Sequence, residues 1–501
     1  MNSDYTITID VKDLHVKIGG TDILKGVDFF LKSGESVGIV GESGSGKTML
    51  TRSLIGLLPP FARPFGTYKI DGEEFSFSST EKKWRRIRGS GGICMIMQDP
   101  FTALDPTKKC GSQIRDGVPR DKLSRFDVSE ALSEVGLEAH IAERYPSQLS
   151  GGQRQRVVIA AALATEPRLL IADEATTALD VITQREILEL IDKIRVQRGM
   201  PIIIITHNIR LAKQRTGRIF VMDKGRIVEA GSTEDIILNP KEESTKALLS
   251  ADRFLQALPY APCKSGNETI LSVKGLSKNF GKTEALDDVS VNVRAGECVG
   301  IVGQSGSGKT TLARCIVGLS RPDKGKIEYF GKVNPQIVFQ DPYSSLNPAH
   351  TIRYVLEEAL EASNRPKSEL QEIILLAEVD ESLLVRKPSD LSGGQRQRVA
   401  IARALAPRPD LLICDESVSA LDVVVQNQIL KMLEKLRKER GMSILFITHD
   451  LSVLRMIACR VYVMNKARVV ESGTTKQIFE SALDGYTRQL IEASVFESMG
   501  V

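Results

Sequence analysis

Short, uninterrupted apolar runs recur along the chain, each closed by charged or turn residues: SVGIV at 36–40, RLLIAD at 168–173 and PIIIIT at 201–206, then CVGIV at 298–302, DLLICD at 410–415 and SILFIT at 443–448. Runs of this length and β-branched content suit strands buried on both faces of a parallel sheet. The first and fourth runs lead into segments with helical spacing, TMLTRSLIGLL and TTLARCIVGL. Strand and helix therefore alternate as in an α/β fold. The opening stretch TITIDVKDL alternates instead, as a half-exposed strand does. No apolar run approaches the ~20 residues needed to cross a bilayer, so any membrane role is expected to be borrowed from a partner.

The pattern is written twice. GESGSGKT at 41–48 recurs as GQSGSGKT at 303–310, an offset of 262 that also carries Leu14 onto Leu276. LSGGQRQRV at 149–157 and 391–399, ADEATTALD at 172–180 and CDESVSALD at 414–422, and His207 and His449 share an offset of 242. The registers differ by 20 residues, 262 less 242, so the first half carries extra material between its glycine-rich loop and Gln98. That material, PPFARPFGTYKIDGEEFSFSSTEKKWRRIRGS, is expected to form a hairpin and a surface helix whose basic run, Lys82 to Arg88, is a solvated face. The expected domains are 1–250 and 269–501, with a linker over 251–268 where LPYAPCKSGNE collects prolines, a glycine and polar residues.

Composition narrows the function. A chain of 501 residues has room for two to four domains, and 67 basic against 63 acidic groups leave a net charge of +4, too little for a dedicated nucleic-acid binder. The seven cysteines are scattered singly, which fits a reduced, cytosolic setting. MNSDYTITIDVKDL lacks the basic start and apolar stretch of a secretory signal.

The glycine-rich loops stand between a buried strand and a helix, the context that GxxxxGK[ST] needs to bind phosphate. Residues Gly41, Glu42, Ser43, Gly44, Ser45, Gly46, Lys47 and Thr48, and their counterparts Gly303, Gln304, Ser305, Gly306, Ser307, Gly308, Lys309 and Thr310, would curl so that backbone N–H groups face phosphate oxygens. Lys47 and Lys309 would reach the β and γ phosphates, and Thr48 and Thr310 would offer hydroxyls to Mg²⁺. Two apolar strands end in acid pairs. Asp173 and Asp415 are expected to hold Mg²⁺, and Glu174 and Glu416 to polarise the attacking water as general bases. His207 and His449, beyond another core strand, would donate to the γ-phosphate and hold the base.

LSGGQ is the ABC signature. With the phosphate loops, QDP at 98–100 and 340–342, the Asp-Glu strands, the ALD turns and the histidines, each half resembles a complete ABC ATPase domain, and the resemblance covers nearly the whole chain. It implies two tandem P-loop NTPase domains, each a mainly parallel core sheet with an antiparallel β subdomain and a helical subdomain. It further implies that the signature of one half faces the phosphate loop of the other. Loop 41–48 would then pair with Ser392, Gly393, Gly394 and Gln395, and loop 303–310 with Ser150, Gly151, Gly152 and Gln153. Gln98 and Gln340 would touch Mg²⁺ or the attacking water and transmit closure to permeases docked nearby.

A finer likeness joins QDPYSSLNPAHTI, QDPFTALDPT, EKKWRRIRG and GYTRQLIEA to the peptide and nickel importer group, and the ending soon after GYTRQL is similar to its short nickel or metal-chelate members. This implies ATP as substrate with Mg²⁺, two integral-membrane permease subunits, an extracellular or periplasmic solute-binding protein, and a place on the cytoplasmic face of the membrane. A soluble translation factor with tandem ABC halves is the alternative. Its hallmark is a long charged helical linker, and fewer than ~20 residues join these halves. ABC members often stack adenine on an aromatic residue upstream of the phosphate loop. Phe280 fits that place, where the first half has Ile18. At ~1 kcal/mol for stacking, Phe280→Ala is expected to weaken nucleotide binding at the second loop about fivefold, and titration with a fluorescent ATP analogue measures it.

Overall fold

The structure, a computed structural model, describes residues 7–77, 79–89, 91–176, 179–257, 260, 266, 268–281, 283–419 and 421–498, with only the backbone for 101, 210, 251–257, 344 and 495–498. The chain divides into two compact units, one ending at Asp252 and the next beginning at Arg253. The helix Glu243–Ala257 runs into the span expected as linker, of which 258, 259, 261–265 and 267 lie outside the described residues.

The first unit contains β1 (Ile9–Ile18), β2 (Thr21–Leu31), β3 (Val37–Val40), β4 (Ala62–Ile70), β5 (Glu73–Phe75), β6 (Ile93–Ile96), β7 (Leu169–Asp173), β8 (Ile202–Thr206), β9 (Arg218–Asp223) and β10 (Arg226–Ser232). Six of these form a sheet in the order β10-β9-β3-β8-β7-β6, parallel except at β9 and β10. Every residue of β3, β7 and β8 is buried, as their apolar runs require. The order matters for function. β3, β8, β7 and β6 lie side by side and point the same way, so the segments leaving their carboxyl ends converge on one edge of the sheet. Those segments begin at Gly41, His207, Glu174 and Met97.

The antiparallel sheet β2-β1-β4-β5 caps the other elements with alternating burial, and its inner side chains Leu14, Val16, Leu24 and Phe29 join the core beneath β3. A third region, residues 100–163, is helical: Cys110–Asp116, Val128–Glu134 and Gly151–Leu163 pack around Ile114, Leu132, Val135 and Ile159.

The second unit repeats this plan with β11 (Thr269–Phe280), β12 (Thr283–Arg294), β13 (Cys298–Val302), β14 (Lys324–Tyr329), β15 (Pro335–Val338), β16 (Leu411–Asp415), β17 (Ser443–Thr448), β18 (Arg460–Asn465) and β19 (Arg468–Thr474). Its sheets run β15-β16-β17-β13-β18-β19 and β12-β11-β14. Helices Ile352–Ala362, Leu370–Leu376 and Gly393–Leu405 form its helical region.

The extra stretch of the first unit is a hairpin, β4 with β5, followed by the helix Glu81–Arg88. Lys82, Lys83, Arg85 and Arg86 are exposed, while Trp84 and Ile87 turn inward. The basic run is not wholly solvated. Arg88 at its end donates to the carbonyls of Ile55 and Gly56 at 2.9 and 3.2 Å, capping the helix that follows the phosphate loop. Trp84 stacks on Tyr68 at 6.2 Å, and Tyr68 donates to the Leu54 carbonyl at 2.7 Å. A Cβ on Gly56 would come within 2.1 Å of the Trp84 ring. The second unit passes from β14 to β15 without a second hairpin strand or this helix among the described residues, and Tyr329 alone makes the matching contact with the Ile316 carbonyl. Trp84→Ala is accordingly expected to cost about 3–5 kcal/mol. Differential scanning calorimetry would show the transition of the first unit lowered by roughly 6–20 °C.

Candidate functional site

The two glycine-rich loops have the same shape. Each leaves its central strand at a glycine pressed against backbone: a Cβ on Gly41 would stand 2.3 Å from the Met222 carbonyl, and one on Gly303 2.1 Å from the Met464 carbonyl. The loop then turns through Gly44 and Gly46, or Gly306 and Gly308, at φ of 82°, 104°, 81° and 102°, which side chains disfavour. At Gly46 and Gly308 the helices Lys47–Leu54 and Lys309–Ile316 begin without a side-chain cap. Their first-turn amides have no intrahelical carbonyl to meet, so an anion is the natural partner. Ser45 and Ser307 are buried with hydroxyl oxygens that lack a hydrogen-bond partner. Glu42 and Ser43, and Ser305 in the second loop, stay exposed.

Both lysines fold back over their loops. Lys47 Nζ donates to the carbonyls of Gly41 and Glu42, each at 2.8 Å, and Lys309 Nζ to those of Gly303 and Gln304, each at 2.8 Å. Burial lowers the pKa of Lys309, and the charges of Glu416 and Asp415 act against that.

The acid pairs stand at the ends of β7 and β16. Thr48 donates to Asp173 Oδ1 and Thr310 to Asp415 Oδ1, both at 3.2 Å. Burial pushes each aspartate up to about 6, more than the threonine bond and nearby cations bring it down. Glu174 and Glu416 follow at φ of 45° and 49°, left-handed backbone that a glutamate adopts only at a cost. Their N–H groups are held by the carbonyls of Ile205 and Ile447 on the neighbouring strands, at 3.0 and 2.9 Å. That turn aims each carboxylate toward its glutamine and histidine. Gln98 donates to Glu174 at 2.9 Å and Gln340 to Glu416 at 2.8 Å. His207 Nδ1 lies 3.4 Å from Glu174 and His449 Nδ1 3.5 Å from Glu416. Lys309 Nζ is 3.7 Å from Glu416. Burial by itself would raise Glu416, but the hydrogen bond and charge of His449, with Lys309, carry it below the ordinary glutamate value. Burial likewise pulls His449 down, and Glu416 more than restores it, leaving His449 raised.

The signature serines lie apart from this edge, at the start of the helices Gly151–Leu163 and Gly393–Leu405. Ser150 and Gln153 bond reciprocally, at 3.1 and 3.3 Å, as do Ser392 and Gln395, at 2.9 and 3.3 Å. Gly152 and Gly394 leave no room for a side chain, since a Cβ would stand 2.5 Å from Thr183 or Val425. Gly151 and Gly393 open the helices. Phe280 ends β11 opposite Thr283, as Ile18 ends β1 opposite Thr21. The phenylalanine is 54% exposed, with the Lys278 ammonium 5.5 Å from its ring centre. Each unit therefore brings its phosphate loop, glutamine, acid pair and histidine together. The sequence reading missed Tyr486, whose hydroxyl accepts the Gln304 amide at 2.8 Å; GYTRQL had stood out only as a family likeness.

The profile described as ABC transporter matches residues 24–177 and 286–419, more than half of the chain, with both phosphate loops, both glutamines, both signatures and both acid pairs inside and His207, His449 and Phe280 outside. The chain belongs to the ABC transporter family. It is 37% identical to the Peptidoglycan transport ATP-binding protein YejF of Agrobacterium fabrum, over 97% of this chain and 96% of the relative. It is 36% identical to the Glutathione import ATP-binding protein GsiA of Salmonella choleraesuis, over 94% and 86% of the two chains. A solved structure named RNase-L Inhibitor superposes with a TM-score of 0.63 over 92% of this chain and 90% of that one; at 22% identity this shows the fold alone. The fold is that of two ABC ATPase domains, and the chain is an ATP-binding, ATP-hydrolysing subunit of a transporter.

In an ABC ATPase domain of this geometry the residues fit both ATP and Mg²⁺. The uncapped helix and the unpartnered buried serine suit phosphate. A hydroxyl beside a buried carboxylate suits a hard cation that takes its other ligands from phosphate and water. No described group of three or more histidine, cysteine or acidic side chains makes an all-protein metal cage. The aspartates also set a pH dependence. With a pKa of about 6 in the folded chain against 3.8 unfolded, the native state binds more protons across that window. Ligand-free stability should therefore fall as pH rises through it. Asp173→Asn and Asp415→Asn are each expected to stabilise the ligand-free protein at pH 7.5, by on the order of 1–3 kcal/mol, while weakening Mg²⁺-dependent ATP binding. Thermal unfolding at pH 5 and pH 7.5, with and without MgATP, measures both effects.

Proposed function

We propose that this protein powers the uptake of a peptide-containing solute by hydrolysing ATP at two sites, with separate permease subunits carrying the solute. The observation that carries the reading is the constellation repeated in each unit: a lysine and threonine on the phosphate loop, an aspartate under the threonine, and a glutamate held between glutamine and histidine. Within it, Glu174 and Glu416 polarise the attacking water. Glu416, its pKa carried below the ordinary glutamate value by His449, accepts the water's hydrogen bond as a carboxylate, whereas a protonated one would not. Gln98 and His207 take opposite oxygens of Glu174, whereas Gln340 and His449 share one oxygen of Glu416; His207 and His449 orient the carboxylate while presenting a ring N–H to the γ-phosphate. Thr48 with Asp173, and Thr310 with Asp415, would hold Mg²⁺, which when bound supplies neutralising charge to the β and γ phosphates.

The working cycle needs the signature of each unit, Ser150 to Gln153 or Ser392 to Gln395, to complete the phosphate loop of the other. Closure around nucleotide and reopening after hydrolysis then become a mechanical stroke. We further infer that a domain over 1–250 and a domain over 269–501, joined by a linker over 251–268, serve as the two moving parts. No described helix is long and apolar enough to cross a membrane, which supports permeases as separate chains and a place for this subunit on the cytoplasmic face. A solute-binding protein outside the membrane would complete the importer. The names of YejF and GsiA, peptidoglycan transport and glutathione import, favour a peptidic solute over nickel or a metal chelate. The fold likeness at 22% identity shows the fold alone and does not favour a translation role.

Replacing both glutamates, Glu174→Gln with Glu416→Gln, is expected to lower ATP turnover at least 100-fold while ATP is still retained. Phosphate release and nucleotide binding on the double variant measure this. Turnover at the wild-type rate would remove both residues as bases.

A further inference from the structure

The helix Glu81–Arg88 carries its positive charge on one side. At roughly 100° per residue, Trp84 and Ile87 mark the inner face, and both are buried. Lys82, Lys83, Arg85 and Arg86 fall together on the opposite arc, and all four are exposed. The acids nearby are mostly matched. Glu81 pairs with Arg88, and with Arg85 at 3.4 Å, while Asp71 pairs with Arg168 at 3.0 Å. Glu74 stands opposite Lys69 in the hairpin register, which leaves Glu73 beside the turn. Among the described residues Lys82, Lys83 and Arg86 have no ion-pair partner.

This charged face is firmly mounted. An eight-residue helix would not persist alone in water, but Trp84 stacks on Tyr68 at 6.2 Å and Arg88 donates to the carbonyls of Ile55 and Gly56. The loop gripped in this way runs on through Leu57 and Phe61, which are 37% and 83% exposed. Long cationic side chains on a fixed platform, with large apolar side chains in the loop it holds, suit the surface of a bilayer. Phosphodiester headgroups take the charge, and an exposed ring enters the boundary between headgroup and acyl chain. A nucleic acid would also take the charge, but a chain with a net charge of +4 has little else to hold one.

We propose that the outer face of Glu81–Arg88, together with Phe61, is a docking surface for a bilayer bearing anionic phospholipid, and that it holds the first unit to the membrane independently of the permeases. The choice of a bilayer over another polyanion rests on the reading of this chain as the peripheral subunit of a transporter. Each Lys or Arg near an anionic bilayer is worth roughly fivefold in binding, so the three unpaired cations amount to on the order of 100-fold. Arg85 adds less, because Glu81 shares its charge.

Full-length protein is titrated with vesicles of phosphatidylcholine alone and of phosphatidylcholine with about 30% phosphatidylglycerol. Binding is read by co-sedimentation and by the emission of Trp84, the one tryptophan of the chain. Binding is expected to the anionic vesicles alone, and to weaken at least 10-fold between about 50 and about 500 mM salt. Lys82→Gln with Lys83→Gln and Arg86→Gln should weaken it on the order of 100-fold and leave ATP hydrolysis unchanged. Lys82→Arg with Lys83→Arg and Arg86→Lys should keep it, and Phe61→Ser should weaken it about 3–10-fold. If the glutamine variant unfolds, the dependence of the wild type on salt and lipid charge decides. Equal binding to both kinds of vesicle, or wild-type binding by the glutamine variant, overturns the surface. So does capture of the protein by heparin with none by vesicles, which would mark a site for another polyanion. An integral-membrane partner that never co-purifies with the chain would overturn the transporter reading instead, and the vesicle result would stand.

Discussion

At the carboxyl end of each parallel sheet an aspartate and a glutamate stand side by side on one strand, and the sheet itself supplies too little positive charge to balance them. Asp173 and Asp415 are 3% and 1% exposed, and desolvation lifts their pKa values accordingly. Moving either to the surface would relieve that cost and lose its bond with the threonine hydroxyl. The remaining features of the edge answer this excess of acid. A threonine hydroxyl reaches the aspartate, a glutamine amide and a histidine reach the glutamate, and in the second unit Lys309 comes within 3.7 Å of Glu416. Strand order supplies the geometry, because four adjacent parallel strands deliver their following segments to one edge.

The duplicated plan makes the departures informative. The antiparallel region of the first unit is extended by a hairpin strand and a helix that clamp the carboxyl end of the post-loop helix through Tyr68, Trp84 and Arg88. In the second unit Tyr329 makes the matching contact with that helix end, and Tyr486 ties the phosphate loop to the terminal helix. The exposed Phe280 stands on the second unit as well.

Much of this was legible in the sequence because the informative residues are contiguous. A buried strand feeding a glycine loop, or ending in Asp-Glu, is a local signal, and two copies at fixed offsets remove ambiguity about register. The inserted hairpin and helix could be read for the same reason. Arg88 was read as part of a solvated run because its acceptors, the carbonyls of Ile55 and Gly56, lie some thirty positions earlier and belong to backbone. The contact of Tyr486 with Gln304 spans 182 positions and joins a side chain to a main-chain amide, so no residue type at the receiving end announces it. The left-handed backbone of Glu174 and Glu416 was equally silent. Glutamate is not a residue that usually marks such turns, and only the neighbouring carbonyls of Ile205 and Ile447 over-determine it.

Without nucleotide each loop is closed upon itself: the lysine that would serve phosphate occupies two carbonyls of its own loop. Phosphate must therefore displace bonds that already exist, and its net gain is the difference between a charge-assisted contact and a charge–dipole one. That difference is sensitive to how firmly the carbonyl-bearing strand of the loop is held. A loose loop can follow the lysine, and part of the binding energy then goes into reordering backbone. A tethered loop lets the lysine leave alone. The same lysine, 3.7 Å from Glu416, is one of the charges that hold this glutamate ionised, a smaller one than His449, so the histidine would still support Glu416 if the lysine turned to phosphate. Loop, lysine, glutamate and histidine thus form one electrostatic chain, in which the contact of Glu416 with Lys309 at 3.7 Å is longer than that with His449 at 3.5 Å.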